Sequence, residues 1–236
     1  MVGDSQLPGS REDVVSGVLE SGEGQVRYLI NTHWHGDHVS NNLQIAGDVP
    51  VLSHTNVRRR LVCDSTIGGR VGGNAPPGAW PHLTYDDSIA LHLDGEEIEV
   101  RHYASVHTDG DSVVFFKTSG VVHMGDLFFN GLFPFIDVQS GGGVQGVIDA
   151  VESILKEVGE MKIIPGHGPL ATRADLETYL AMLKDCKGRV ERAIADGKEA
   201  LEMRDAGLVD DYAKDWALGF IGADRFIDLL YASLSR

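Results

Sequence analysis

The chain has 236 residues, 42% hydrophobic and 23% charged, which excludes a disordered chain and supplies enough apolar side chains for a sizeable core. A formal net charge of −15 disfavours a nucleic-acid partner, and the one basic cluster, Arg58-Arg59-Arg60, reads as a solvated helix face. No apolar run approaches the ~20 residues of a membrane span, and Cys63 and Cys186 form no C-x-x-C pair, so no disulfide framework or thiolate zinc site is indicated.

Residues 1–10 are polar and rich in Gly and Ser, without a signal peptide, so the sequence as it stands reads as cytoplasmic. Val14, Val15, Val18 and Leu19 fall at helical spacing and predict a short helix over 11–19, followed by a Gly-rich turn at 21–24. Residues 26–31 read as a strand, 39–46 as a helix and 49–52 as a second strand; Thr55 is the expected N-cap of a helix reaching Val62. Residues 68–81 hold five glycines and three prolines and read as a long loop, with Trp80 packing it down.

The pattern then turns to β. Ile89/Leu91/Leu93 and Ile98/Val100/His102 alternate around an Asp94-Gly95 hairpin turn. Residues 113–116 and 121–124 continue the sheet through a turn at Ser119-Gly120. Val144, Val147, Ile148, Val151, Ile154, Leu155 and Val158 mark a helix face, residues 161–164 a buried-type strand, Leu176 to Ile194 a long helix and Phe226 to Leu234 a terminal one. No repeat or linker interrupts this mixed α and β pattern, so the economical expectation is a single domain over 1–236.

Chemistry concentrates just after the first strand, in His33, His35, Asp37 and His38, an H-x-H-x-D-H motif. Neutral imidazole and carboxylate suit zinc and similar borderline metals. On an extended stretch His33 and His35 point to the same side, and a turn at Gly36 aims Asp37 and His38 differently, which suggests half-sites for two ions. Three further positions share a strand-end placement followed by Gly or a turn: His107, Asp126, and His167 between Pro165-Gly166 and Gly168-Pro169. His167 is expected to have no ladder role, its backbone being shaped to present the ring. His54, His82, His92, His102 and His123 lack a motif; His92 and His102 read as strand positions and His123 as core or as support behind the metals. Gly141-Gly142-Gly143 precedes a helix but lacks the Lys and Ser/Thr of a phosphate loop, and reads as a turn. The aromatic run from Phe128 to Phe135 reads as core, pocket wall or subunit contact.

This set, in this order, resembles the metallo-β-lactamase fold superfamily from about Val26 onward. The resemblance implies an α/β fold of α+β type: a four-layer αββα sandwich with metals at one edge of its two sheets. It also implies that His33, His35 and His107 hold a first ion, that Asp37, His38 and His167 hold a second, and that Asp126 bridges both. Two zinc ions are expected, with iron or manganese as substitutes. A bridging aspartate matches glyoxalase II-like thioesterases and lactonases better than the best-known zinc β-lactamases. The stretches at 107–111, 125–128, 133–137 and 140–142 are similar to a subgroup labelled only as metallo-hydrolases or cyclase-like. Ribonuclease members share the first motif, but the acidic charge argues against that class.

The implied mechanism is attack of a metal-bridging hydroxide on a thioester, lactone or similar carbonyl, with Asp37 also taking a proton. No serine or cysteine nucleophile is needed, and no G-x-S-x-G elbow occurs. The alternatives are β-lactam hydrolysis, a di-iron redox enzyme like the persulfide dioxygenases, and a scaffold with a decayed site. The expected partner is a small-molecule substrate, with no nucleic acid or membrane; the oligomeric state is open, and a homodimer is compatible with the sequence. The N-terminal hairpin expected ahead of the first motif is shortened, with Met1-Val2-Gly3-Asp4 resembling its tail, so a late start codon or a lost export leader enters the reading.

Overall fold

A computed structural model describes residues 2–5, 26–45, 47, 49–62 and 75–235. The helix expected at 11–19, the turn at 21–24, Cys63 and residues 68–74 of the long loop lie outside the described residues.

Two sheets form the centre. The first has the order β1 (Val2–Gly3), β2 (Leu29–Ile30), β3 (Val51–His54) and β4 (Leu83–Tyr85), all parallel. The second runs β5 (Ser88–Leu93), β6 (Glu96–His102), β7 (Ser112–Phe116), β8 (Val121–Phe129) and β9 (Lys162–His167), antiparallel except for the parallel last pair. The Asp94-Gly95 turn has positive φ at both residues, 53° and 84°, as a tight two-residue hairpin requires.

Side-chain alternation assigns the layers. Ile30 and Leu52 from the first sheet meet Ile98, Val100 and Val114 from the second, closing the middle of the sandwich. Val113 and Phe115, next to Val114 in sequence, face the other way into a larger core with Val147, Val151, Leu183 and Phe226. Those last four come from the helices Val144–Leu155, Arg173–Ala195 and Ala223–Leu234. On the opposite flank Leu29 and Val51 pack with Ile45 of the helix Asn42–Ile45. The order helix, sheet, sheet, helix is the four-layer sandwich that the resemblance implied.

Several elements differ from their sequence reading. The expected helix at 39–46 is split into Gly36–Val39 and Asn42–Ile45, so the first turn starts within the histidine motif itself. The helices Ala200–Asp205 and Asp210–Trp216 are additional; each is too short to display a 3.6-residue period. Asp126 does not close its strand. β8 runs on to Phe129, with shifts in its pairing to β9 on either side of Gly125, and this irregularity re-aims the following side chain. Nor is His167 outside the ladder: it pairs with Phe129, and its carbonyl accepts from Asn130 N–H at 2.9 Å.

The basic cluster is also not a solvated face. The Arg58 guanidinium lies 5.5 Å over the Trp80 ring and donates to Pro81 O, so Trp80 is packed down as expected. Arg60 lies 5.5 Å over Trp34, donates to both carboxylate oxygens of Asp109 at 2.7 and 2.8 Å, and reaches Ser140 O at 2.9 Å. Only Arg59 is exposed. The Gly141-Gly142-Gly143 segment is the expected turn. Gly142 packs so closely that a Cβ would collide with the carbonyl oxygen of His107, and its N–H donates to Asp137 O at 2.9 Å.

Candidate metal centre

The seven expected donors converge at one edge of the sandwich. The chain bends at Thr32 and His33 after the end of β2, and His35, on extended backbone, stands at the N-cap of the short helix Gly36–Val39. Its carbonyl accepts from His38 N–H at 2.9 Å, which turns Asp37 and His38 away from the line of the first two histidines. Asn31 and Asn42 exchange side-chain hydrogen bonds of 3.1 and 2.8 Å beneath this turn, fixing its direction. Ser112 N–H donates to Thr32 O at 2.9 Å and ties the motif to the second sheet. That sheet supplies His107 from the loop after β6, Asp126 from β8 and His167 from the end of β9.

The donor atoms fall into two groups, His33, His35, His107 and Asp126 in one and Asp37, His38 and His167 in the other, with the atoms of each within 4.8 Å of one another. Asp126 lies between them. Its Oδ1 is 3.2 Å from His38 Nε2, and its Oδ2 is 3.7, 3.4 and 3.4 Å from Nε2 of His33, His107 and His167. Asp37 Oδ2 is 3.3 Å from His167 Nε2 and 3.5 Å from His38 Nε2. Gly166 leaves room for the central carboxylate, since a Cβ there would overlap Asp126 Oδ1.

The far nitrogen of each ring shows what these atoms are for. His38 Nδ1 is 2.9 Å from Asp4 Oδ2, His35 Nε2 is 3.0 Å from Asp137 Oδ2, and His107 Nδ1 is 2.7 Å from Phe135 O. Carboxylate and carbonyl oxygens accept only, so these ring nitrogens carry the hydrogens. Thr32 Oγ1 donates to Asp4 Oδ2 at 2.8 Å and is left to accept from His33 Nδ1–H at 3.1 Å. In the neutral rings the opposite nitrogens of all four are then bare lone pairs. His35 Nδ1 and His107 Nε2 face each other at 2.8 Å, a repulsive pair unless a cation lies between them. His33 Nε2, His38 Nε2, His167 Nε2 and Asp126 Oδ1 are buried and make no hydrogen bond. His33 Nε2, on a ring that stays neutral, is an acceptor with no donor, and His38 and His167 must take up an extra proton toward Asp126 when no metal is bound; both features fit bound cations.

Electrostatics divides the set. Burial, reinforced by the neighbouring His38, holds the His33 pKa well below the usual imidazole value. Burial also pushes His107 down to about 4, so both stay neutral. Burial opposes charge on His167 too, but the carboxylates of Asp126 and Asp37 raise it to about 9. At His38 the same opposition is overcome by Asp126 and Asp4, and its pKa stands well above the ordinary range. Burial would raise Asp126, yet the charged His38 ring beside it holds its pKa well below the ordinary carboxylate value.

A sign follows for metal uptake. At pH 7 His38 and His167 hold protons in the metal-free protein that a metal must displace. Binding is expected to release about two protons per chain and to tighten as pH rises toward about 9. Calorimetric titration of the apoprotein in buffers of different ionisation enthalpy measures that release, and no buffer dependence would contradict it.

Sequence reasoning missed the groups behind the donors. Asp137 stands 102 residues from His35, and the 133–137 run was noted without assigning its acid a role. Phe135 acts through its carbonyl, which no side-chain pattern reveals. Asp4 was visible only as the acidic end of a strand; it also lies 3.4 Å from His123 Nε2, consistent with His123 as support behind the metals.

A buried cluster of imidazoles and carboxylates at the edge of an αββα sandwich is the hallmark of a metal-dependent hydrolase. The sequence pattern of the metallo-beta-lactamase superfamily matches residues 8–170, and the chain belongs to that superfamily. Solved structures agree in fold. A metallo-beta-lactamase from Pontibacter korlensis is 17% identical, with a TM-score of 0.60, over 77% of this chain and 80% of its own. The BLEG-1 B3 metallo-beta-lactamase is 21% identical, with a TM-score of 0.59, over 77% and 87%. A variant of the sec-alkyl sulfatase PisA1 is 14% identical with a TM-score of 0.70; the match covers 97% of this chain and 44% of that one. Among curated proteins, none matches in sequence. No helix among the described residues is long and apolar enough to cross a membrane.

Proposed function

We propose that the protein is a binuclear zinc hydrolase of thioesters, lactones or closely similar carbonyl esters. The observation that carries this reading is Asp126, a buried carboxylate set between two groups of bare imidazole nitrogens. His33, His35 and His107 would hold one ion, Asp37, His38 and His167 the other, and Asp126 both. When bound, zinc supplies Lewis acidity at the carbonyl and lowers the pKa of water from 15.7 to about 7.

The chain's own residues supply orientation and proton handling. Asp4, Thr32, Asp137 and the Phe135 carbonyl fix His38, His33, His35 and His107, respectively, in the tautomer that directs the lone pair inward. Asp37 is the carboxylate open to water: its side chain is 37% exposed, against 4% for Asp126. Burial opposes its ionisation, but the His167 and His38 rings, 3.3 and 3.5 Å from its Oδ2, hold its pKa well below the usual carboxylate value, so in the metal-free protein it stands ionised. Only once water or substrate displaces those contacts would it accept a proton and pass it to solvent. An aspartate at position 126, where the best-known zinc β-lactamases carry cysteine or no ligand, favours thioester and lactone over β-lactam.

The test is a panel of an acyl thioester, an acyl-homoserine-type lactone, a chromogenic β-lactam and an alkyl sulfate, assayed before and after chelation. Hydrolysis of the thioester or lactone, lost with chelator and restored by zinc, is the expected result. Activity restored by iron alone, with oxygen consumed on a persulfide, would replace the hydrolase reading with the redox one.

A further inference from the structure

The segment that follows the helix Asp210–Trp216 carries two apolar side chains in water, Leu218 at 73% exposure and Phe220 at 64%. Their neighbours are not loose. Trp216 and Ile221 are buried in the main core, Trp216 O accepts from Phe133 N–H at 2.7 Å, and Gly219 packs onto Leu132. The chain therefore holds Phe220 out by design of its packing, at the usual cost of exposing a large apolar surface.

Phe220 is also aimed. Its ring centroid lies 5.9 Å from that of His167, 6.3 Å from Phe129 and 6.4 Å from Phe135. Phe129 stacks on His167 at 4.9 Å, and Phe135 lies 5.8 Å from His35 and 5.7 Å from His107. Phe129 and Phe135 are buried beneath the donor set, so Phe220 is the member of this aromatic group that solvent reaches. The donors open to solvent, Asp37 and His167, are on the same side, since His167 touches both Asp37 and Phe220.

We propose that Phe220 is a specificity-determining residue: it forms an apolar wall beside His167 that takes an aromatic or alkyl group attached to the scissile carbonyl. A molecule reaching Asp37 over His167 meets this ring, whose centroid is 5.9 Å from that of His167. A protein partner seated on Phe220 would instead cover the open donors. The residue lies outside the 8–170 stretch shared with the superfamily, as expected of an element that selects the substrate rather than performs the chemistry. The proposal rests on the hydrolase reading above.

The experiment compares wild type, Phe220→Ala and Phe220→Leu in the zinc-loaded state. Phenylacetyl and acetyl thioesters of one thiol serve as substrates, and phenylacetate and acetate as non-reacting ligands followed by calorimetry. F220A is expected to raise KM for the phenylacetyl ester by about 10-fold, with kcat and the acetyl ester unchanged, and F220L to fall between. Phenylacetate is expected to bind wild type about 10-fold tighter than acetate, a preference lost in F220A. If no thioester is cleaved but the carboxylate preference follows Phe220, the ester reading fails and the wall stands. Equal effects on both probes, or none, overturn the proposal. So does a variant that only dissociates an oligomer, which would make Phe220 a subunit contact.

Discussion

Replacing Asp126 with alanine is expected to lower kcat/KM by at least about 10³-fold, some 4 kcal/mol of transition-state stabilisation, and to cost at least one metal per chain. This carboxylate lies within 3.7 Å of imidazole nitrogens from both groups, four in all, and in the proposed binuclear site it is the shared ligand. Without it the two half-sites lose their shared ligand, and the remaining imidazoles have no negative charge at their centre to offset a pair of dications. Asp126→Asn keeps the shape but halves the acceptors and removes the charge, so it should fall almost as far. Both variants should fold, because the carboxylate is surrounded by donors rather than by the apolar core. Circular dichroism with elemental analysis checks this; a metal-replete, active D126A would contradict the bridging role.

Asp4→Ala is expected to act on stability and metal binding together. Buried Asp4 accepts from Thr32 N–H at 2.8 Å, Thr32 Oγ1–H at 2.8 Å and His38 Nδ1–H at 2.9 Å. Truncation strands these donors at roughly 1–3 kcal/mol each, so a loss of about 3–5 kcal/mol is expected in thermal or denaturant unfolding. It also frees His38 to turn, and the removal of such an outer partner typically weakens metal affinity by about 10–100-fold.

Asp4→Asn separates the two effects. With its oxygen kept on Thr32 N–H, the new amide donates toward His38 Nδ1, which favours the tautomer with hydrogen on Nε2, the nitrogen needed by the metal. D4N should therefore keep more stability than D4A yet lose comparable metal affinity in a chelator competition. The pH sign is fixed as well. Burial opposes the Asp4 charge, but His38 and His123 hold its pKa well below the usual value. Its stabilisation is present above the ordinary carboxylate range of about 3.9 and is lost as pH falls below it.

The donors were legible in the sequence because metal chemistry restricts them to few residue types, and H-x-H-x-D-H brings four of them within six positions. The αββα layering followed from the resemblance, while period-two alternation identified the β5 to β8 meander and the helix faces after it. Other features depended on contacts between distant segments. Arg60 appeared solvated until the fold brought Asp109, Ser140 and Trp34 around it. His167 does stand at the end of its strand but keeps a ladder partner in Phe129, while Asp126 was read as closing a strand that runs on to Phe129 past shifts in the β8–β9 register. Phe220 carried no motif, and its meaning comes from the three rings it meets in space.

A carboxylate that bridges two half-sites requires one chain to hold a pair of metal ions. Stoichiometric titration of zinc into the apoprotein, followed by elemental analysis after desalting, measures this directly. Two zinc ions retained per wild-type chain, with the second lost in D126A, is the result expected. A single retained ion in wild type, or none, would contradict the bridging of two half-sites by Asp126.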